Sequence, residues 1–287
     1  MNPILKWGGV ALGALVAIGL VATGYDYVAS EAVIGRTYPP RAATFHAVAD
    51  ARSIARGAHL AIVTGCVDCH GPRLTGKRFS DVPDSEIWSR NLRLLARSFS
   101  DADFERAIRQ GIRPDRQSVV IMPSNAYATM TDRDLNDIVA YLRSLKPEGS
   151  PTPEPRYGLV LRGILVAGKL KTTLDYARGD TPSLDLGPRY TRGRQLAAIA
   201  CAECHNTNLG GARPDSFFKT PDLSLVAAYE RADFVKFMRT GKAAGGRELA
   251  TMSGVARIRF VHFSDDEISA LYDYLVARGQ KLADTPS

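Results

Sequence analysis

The hydrophobic pattern at the start of the chain differs from that of the rest. Residues 7–25 read WGGVALGALVAIGLVATGY and carry no charge. A helix of that length spans about 28 Å, close to the hydrocarbon thickness of a bilayer. Lys6 precedes this segment while Asp26 and Glu31 follow it, which favours a cytoplasmic N-terminus. The pattern therefore predicts one transmembrane helix within residues 1–30, with the rest of the chain on the far side.

A cleaved signal peptide is the alternative interpretation of this segment. The tripeptide VAS at 28–30 resembles a small-residue cleavage site. However, the apolar segment exceeds the usual length of a signal-peptide core, and the residues directly before VAS are Tyr25, Asp26 and Tyr27. A retained anchor is favoured, and either interpretation predicts export.

Two later parts of the chain repeat one another. The segment RGAHLAIVTGC (56–66) matches RGRQLAAIAC (192–201) with one residue inserted. Farther on, RNLRLLARSFSDADFERAIRQG (90–111) matches PDLSLVAAYERADFVKFMRTG (221–241). Apolar residues at i and i+4 in the second pair predict a short amphipathic helix that ends at the final glycine. The repeat indicates two domains of one fold.

Each copy closes with a further predicted helix. The segment TDRDLNDIVAYLRSL (131–145) begins at an N-cap threonine, Thr131, with an acid three residues on. The segment SDDEISALYDYLVARG (264–279) begins with a capping box formed by Ser264 and Glu267. Since the elements predicted in both copies are helices, the fold class is predicted to be all-α.

The predicted organisation follows from these segments and from their composition. Residues 146–158, KPEGSPTPEPRYG, are proline-rich and predict an extended boundary. Residues 159–170, LVLRGILVAGKL, are too short to span a membrane, and we expect them to pack between the domains, with docking on the lipid surface or on a partner as the alternatives. The predicted units are an anchor (1–30), a tether (31–50), domain 1 (51–148), a linker (149–186) and domain 2 (187–287).

Composition adds one exclusion. The chain has 287 residues, of which 45% are hydrophobic and 23% charged, and its formal net charge is +7. Acidic and basic residues are intermixed, without the clustered Lys and Arg of nucleic-acid binders. We therefore expect no nucleic-acid partner.

All four cysteines lie in two copies of the pattern Cys-x-x-Cys-His. Residues 63–76 read VTGCVDCHGPRLTG and residues 198–211 read AIACAECHNTNLGG. A shared zinc site normally has its second cysteine pair about 15–20 residues after the first, far less than the separation here. Redox dithiols or structural disulfides are permitted in an exported protein. Neither alternative explains the two histidines.

Covalent haem attachment uses every residue of the pattern. Two thiols add to the vinyl groups of haem, and the adjacent histidine becomes an axial ligand of the iron. The sequence thus predicts two covalently bound haem c groups. The attaching residues are predicted to be Cys66, Cys69, Cys201 and Cys204, and the histidine ligands His70 and His205.

With these motifs and helices, each half of the chain resembles a class I c-type cytochrome domain. That family has a helix leading into Cys-x-x-Cys-His, a middle helix, a Met-bearing loop and a final helix ending in Tyr-Leu. The resemblance covers residues 50–146 and 187–280, and with the anchor the chain resembles membrane-bound dihaem cytochromes c. It implies that the first and last helices cross at glycine–aromatic contacts. The implied pairs are Gly57 with Tyr141 and Gly193 with Tyr274.

The second axial ligands are predicted among five methionines. Met1 starts the chain, Met238 occupies a helix-core position of the repeat, and Met130 lies at a staple position before the last helix. Met122 and Met252 remain, each eleven residues after the glycine that closes the middle helix. These two are predicted to bind iron.

The assignment is less secure in the second copy. Met122 precedes Pro123, as in the Met-Pro pair usual in the family, whereas Met252 precedes Ser253. His262 stays open as an alternative ligand to Met252.

The predicted function is electron transfer by a membrane-anchored dihaem cytochrome c, not an enzyme. The resemblance implies a periplasmic dehydrogenase or a quinol-oxidising complex as donor and a terminal oxidase or soluble cytochrome as acceptor. It implies a single-pass protein of the bacterial inner membrane with its haem domains in the periplasm. A dihaem peroxidase is the alternative, and it would need one iron with an open or displaceable position.

Overall fold

The structure, a computed structural model, describes residues 3–78, 82, 84–212 and 219–284. Within these ranges the chain is helical, and its only β pairings are isolated bridges, with no named strand. The all-α prediction is confirmed. Several of the helices begin at a side-chain N-cap, among them those capped by Asp50, Thr131 and Ser264, and these helices bury an apolar stripe at helical spacing.

The N-terminal helix α1, Pro3–Ile34, fits a membrane anchor. Its part Lys6–Ile34 is the one helix among the described residues that is long and apolar enough to cross a membrane. At 1.5 Å per residue that part measures about 44 Å, more than a hydrocarbon core of about 30 Å. The end that carries Asp26 and Glu31 therefore has the length to project beyond the bilayer.

The first cytochrome-like domain follows the predicted order of helices. Thr131 accepts a hydrogen bond from the Asp134 amide, as expected of the N-cap of the last helix. The middle helix ends at Gly111, whose φ of 66° lies in the left-handed region that favours glycine. The helices are α2 Ala51–Val63, α3 Cys66–His70, α4 Leu92–Ser98, α5 Asp101–Glu105 with the π turn Arg106–Gln110, α6 Ser124–Tyr127 and α7 Asp132–Ser144.

The connecting segment contains α8, Leu159–Val166, and α9, Thr173–Ala177. Helix α8 packs against α1. Arg162 of α8 donates to Ser30 Oγ over 2.7 Å and pairs with Glu31 over 2.7 Å. The expected packing of this segment between the domains is therefore wrong. The polar partners of Arg162 lie some 130 residues away in sequence, so a local pattern does not show them.

The second domain repeats the first. The predicted capping box is present, since Ser264 accepts from the Glu267 amide and the Glu267 carboxylate accepts from the Ser264 amide. The helices are α10 Thr191–Ala200, α11 Ala202–His205, α12 Arg231–Thr240, α13 Ala250–Ile258 and α14 Asp265–Ala283, with 3₁₀ turns at Leu223–Ala228 and Phe260–His262.

The first and last helices of each domain cross at the predicted glycines. A Cβ atom on Gly57 would lie 1.8 Å from the Asp137 carbonyl oxygen and 2.7 Å from Tyr141 Cβ. A Cβ atom on Gly193 would lie 2.1 Å from the Ala270 carbonyl oxygen and 2.6 Å from Tyr274 Cβ. Glycine is required at both positions because the partner is backbone, which cannot rotate away. The implied helix crossing is confirmed in both copies.

Candidate functional site

Each Cys-x-x-Cys-His segment forms one short helical turn at the end of a longer helix. In the first copy, α2 ends at Thr64 and the chain turns through Gly65, whose φ of 82° is left-handed. In the second copy, α10 leads directly into Cys201, whose amide donates to the Ala197 carbonyl. Two cysteines and a histidine are thus presented on one turn in each domain.

The two histidines are oriented in the same way. The Nδ1 atom of His70 lies 2.7 Å from the Arg90 carbonyl oxygen, and that of His205 lies 2.8 Å from the Pro221 carbonyl oxygen. A carbonyl oxygen only accepts, so each Nδ1 carries the hydrogen and donates it. The lone pair of each neutral ring is therefore on Nε2, the atom left for a metal.

Burial favours this neutral form. Burial lowers the pKa of His70, with the hydrogen bond to Arg90 opposing, and lowers the pKa of His205 against the hydrogen bond to Pro221. Nε2 of His205 is buried and has no hydrogen-bond partner in the protein. A buried, unpartnered nitrogen with a free lone pair is what an iron-ligating histidine requires.

A cavity of about 400 Å³ opens beside the first motif. Its wall includes Cys66, Cys69, His70 and Met122 together. Pockets for cofactors typically have about 300–1,000 Å³ and apolar walls. Most of the lining here is apolar, and it includes Leu92, Phe99, Phe104, Ile108, Ile138 and Leu142. The first site therefore fits a haem by donor set, volume and lining.

The four cysteines do not form the disulfides or the shared zinc site that were the alternatives to haem attachment. The structure describes all four, and none is in a disulfide. Burial raises the pKa of Cys201 to about 12 and that of Cys204 to about 11, and it also raises the pKa of Cys66. Within the described ranges, no three Cys, His, Asp or Glu side chains converge as a metal ion would require. Neither a disulfide pair nor the shared zinc site is formed.

The two predicted methionine ligands lie in different local structure. Met122 is in an irregular turn before α6, whereas Met252 is the third residue of α13. The resemblance implies a Met-bearing loop, so the second copy departs from it. Pro123 disfavours the helical conformation at Met122, while Ser253 leaves Met252 free to join a helix. Met252 packs against the core, and its role as an iron ligand stays a prediction.

The remaining methionines and His262 were also considered as iron ligands. Met238 is buried in the core, as predicted. Met130 is also buried, yet it lines the same cavity as Met122, so a test of ligation needs a variant of each. His262, the alternative to Met252, is exposed.

Some residues that shape the first site were not found from the sequence. Pro155 and Tyr157 belong to the proline-rich boundary segment, yet they line the cavity. Thr173 of α9 donates its hydroxyl to the Met122 carbonyl oxygen and so supports the Met122 turn. The sequence does contain an indication of the two carbonyl acceptors. Arg90 and Pro221 occupy the same position in the two copies, as the first residues of the second pair of matching segments.

Comparison with known proteins agrees with this geometry. The cytochrome c family profile matches residues 54–146 and again residues 190–279. The chain is similar to the fructose dehydrogenase cytochrome subunit of Gluconobacter japonicus, with 27% identity over 257 residues, 78% of this chain and 52% of that one.

Two further relatives have similar names. The chain is 25% identical over 266 residues to the alcohol dehydrogenase (quinone) cytochrome c subunit of Gluconobacter oxydans (strain 621H), covering 79% of this chain and 55% of that one. It is 24% identical over 285 residues to the gluconate 2-dehydrogenase cytochrome c subunit of Pantoea cypripedii, covering 83% and 63%. The chain thus spans little more than half the length of most of the curated relatives it matches.

The profile match accounts for more than half of the chain and falls on both halves of the repeat. It coincides with the two Cys-x-x-Cys-His turns, the two oriented histidines and the two helix crossings. The chain belongs to the cytochrome c family, as two tandem domains behind one N-terminal apolar helix.

Proposed function

We propose that this chain is a membrane-anchored electron carrier that holds one covalent haem c on each Cys-x-x-Cys-His turn. The observation that carries the proposal is the matched orientation of His70 and His205. Both rings donate Nδ1–H to a backbone carbonyl, which leaves the lone pair on Nε2, and each histidine directly follows the second cysteine of its motif. Electron transfer is the activity that cytochrome c domains support.

The residues that would hold the haems follow from the two motifs. Cys66 and Cys69 would attach the first and Cys201 and Cys204 the second, with His70 and His205 as axial ligands. Met122 and Met252 would supply the opposite ligands. When bound, haem supplies a one-electron couple whose potential is raised by methionine ligation.

The protein side chains around the first site tune that couple. Most of the wall is apolar, and an apolar surrounding disfavours the more highly charged oxidised iron. The proline-rich segment closes one side of the wall through Pro155 and Tyr157. The first site is therefore built to favour the reduced state.

We further propose a dehydrogenase as the electron donor. The relatives named above are cytochrome subunits of fructose, alcohol and gluconate dehydrogenases. Their similarity supports a donor of this class, with a quinol-oxidising complex as the alternative. The acceptor we propose is a terminal oxidase or a soluble cytochrome.

The anchor is proposed to be retained in the bacterial inner membrane, with both domains on the periplasmic side. Lys6 before and Asp26 after the apolar segment support this orientation. The cleavage-like tripeptide 28–30 lies inside the continuous helix α1. Its last residue, Ser30, is fully buried and accepts a hydrogen bond from Arg162, which supports retention over cleavage.

Replacing Met252 by Ala tests carrier against peroxidase. If Met252 binds iron, the change opens the second haem alone, lowers its reduction potential and removes about half of the methionine–iron absorption band. The variant should also gain carbon monoxide binding that the parent lacks. Visible spectra and a potential titration of the full-length protein measure both effects.

The matched controls are Met130→Ala and Met238→Ala, which should leave the methionine–iron band intact. Loss of the band in Met130→Ala would reassign the ligand of the first site. A parent protein that already binds carbon monoxide at one haem and turns over peroxide rapidly would contradict the carrier function.

A further inference from the structure

The two Cys-x-x-Cys-His turns share an acidic residue at the same position. Asp68 precedes Cys69 in the first motif, and Glu203 precedes Cys204 in the second. Their side chains are only 26% and 25% exposed. Two half-buried carboxylates next to the two attachment sites need a compensating positive charge.

One arginine meets both carboxylates. Arg259, directly after α13, donates through Nε to Asp68, and its Nη1 lies 2.9 Å from Glu203 Oε2. Its side chain is 11% exposed. A planar guanidinium can bond two carboxylates at once, which an ammonium group does less well. Arg259 thus joins the two motifs, which lie in different domains.

The space for this arginine is made by Gly65, the residue before the first motif. A Cβ atom at Gly65 would lie 2.3 Å from the guanidinium carbon of Arg259. The left-handed φ of 82° at Gly65 also favours glycine. The turn that leads into the first motif is therefore shaped around a side chain of the second domain.

Other contacts hold the domains together without touching either motif. His59 Nε2 lies 2.8 Å from Glu267 Oε2, and Arg192 Nη1 lies 3.9 Å from Asp134 Oδ1. Helix α6 also packs against α10. Loss of Arg259 therefore leaves an interface that can keep the domains associated.

We propose that Arg259 is a positioning residue that fixes the two attachment motifs against each other and gives both haems a shared positive charge. The inference rests on the proposed function, since it requires a haem on each motif. Because the guanidinium is buried, salt screens its charge poorly. A cation near both centres favours the reduced form of each.

The test is a potential titration of the full-length dihaem protein carrying Arg259→Ala. Removing the cation leaves two carboxylates that favour oxidised iron, so both midpoint potentials should fall. At a fixed potential the ratio of reduced to oxidised haem should drop about tenfold at each site, or about 59 mV for one electron. Arg259→Lys should restore at least half of both shifts, because it restores the charge.

Arg257→Ala is the matched control. Arg257 is two residues away, 46% exposed, and pairs with Glu248 of its own domain. The Arg257→Ala variant also loses one positive charge, but it should leave both potentials almost unchanged because solvent screens the charge of Arg257.

If Arg259→Ala does not accumulate, Asp68→Asn carries the test. Losing one negative charge from a shared cluster should raise both potentials, whereas a local effect would move only that of the first haem. An Arg259→Ala protein with two haems and potentials equal to those of Arg257→Ala would overturn this inference alone, as would a shift at one haem only. A parent without covalent haem would instead contradict the proposed function.

Discussion

Gly57→Ala should destabilise the first domain by about 3 kcal/mol or more, an effect at the upper end of overpacking substitutions. The added methyl group would lie 1.8 Å from the Asp137 carbonyl oxygen and 2.7 Å from Tyr141 Cβ. Both obstacles belong to α7, so the helices must separate to admit it. Thermal unfolding followed by circular dichroism and by haem absorbance measures the loss.

The matched control is Gly254→Ala in α13. Nothing lies within 4 Å of a Cβ atom built there, so the helix should gain up to about 1 kcal/mol from the better helix former. Gly193→Ala should reproduce the effect of Gly57→Ala in the second domain. Equal melting temperatures for Gly57→Ala and Gly254→Ala would show that α2 and α7 do not cross at Gly57.

Replacing Cys201 and Cys204 together by Ala should remove one haem and leave the other. Without the two thiols the second motif has no covalent attachment, whereas Cys66 and Cys69 are untouched. Haem absorbance per chain should fall by about half. The measurement is a pyridine haemochrome assay against polypeptide concentration.

The reciprocal variant, Cys66→Ala with Cys69→Ala, should also retain one haem. The two variants together show whether each motif acts independently. Full absorbance in the Cys201 and Cys204 variant would mean that the second motif holds no haem, and the repeat would then be structural only.

Local sequence signals were sufficient for much of this fold. The N-caps at Thr131 and Ser264 were predicted correctly because a cap depends on residues three positions apart. The crossings at Gly57 and Gly193 came from the family resemblance, and the structure shows them as backbone contacts. The repeat indicated two copies of every element of the site.

Contacts between distant segments could not be predicted in this way. Arg259 and Asp68 are 191 residues apart, and no periodicity connects them. The packing of α8 on α1 depends on Arg162 meeting Ser30, a pair 132 residues apart. Met252 lies in a helix because Ser253, and not a proline, follows it. The alignment of the two copies shows this exchange as a single substitution, so it does not predict the change in local structure.

The central claim is that this single chain carries two covalent haems. Intact mass spectrometry of the parent protein, after extraction with acid and organic solvent, tests it most directly, because only covalently attached haem survives that treatment. The account predicts a mass that exceeds the polypeptide by two haem groups. Recovery of the bare polypeptide would contradict it.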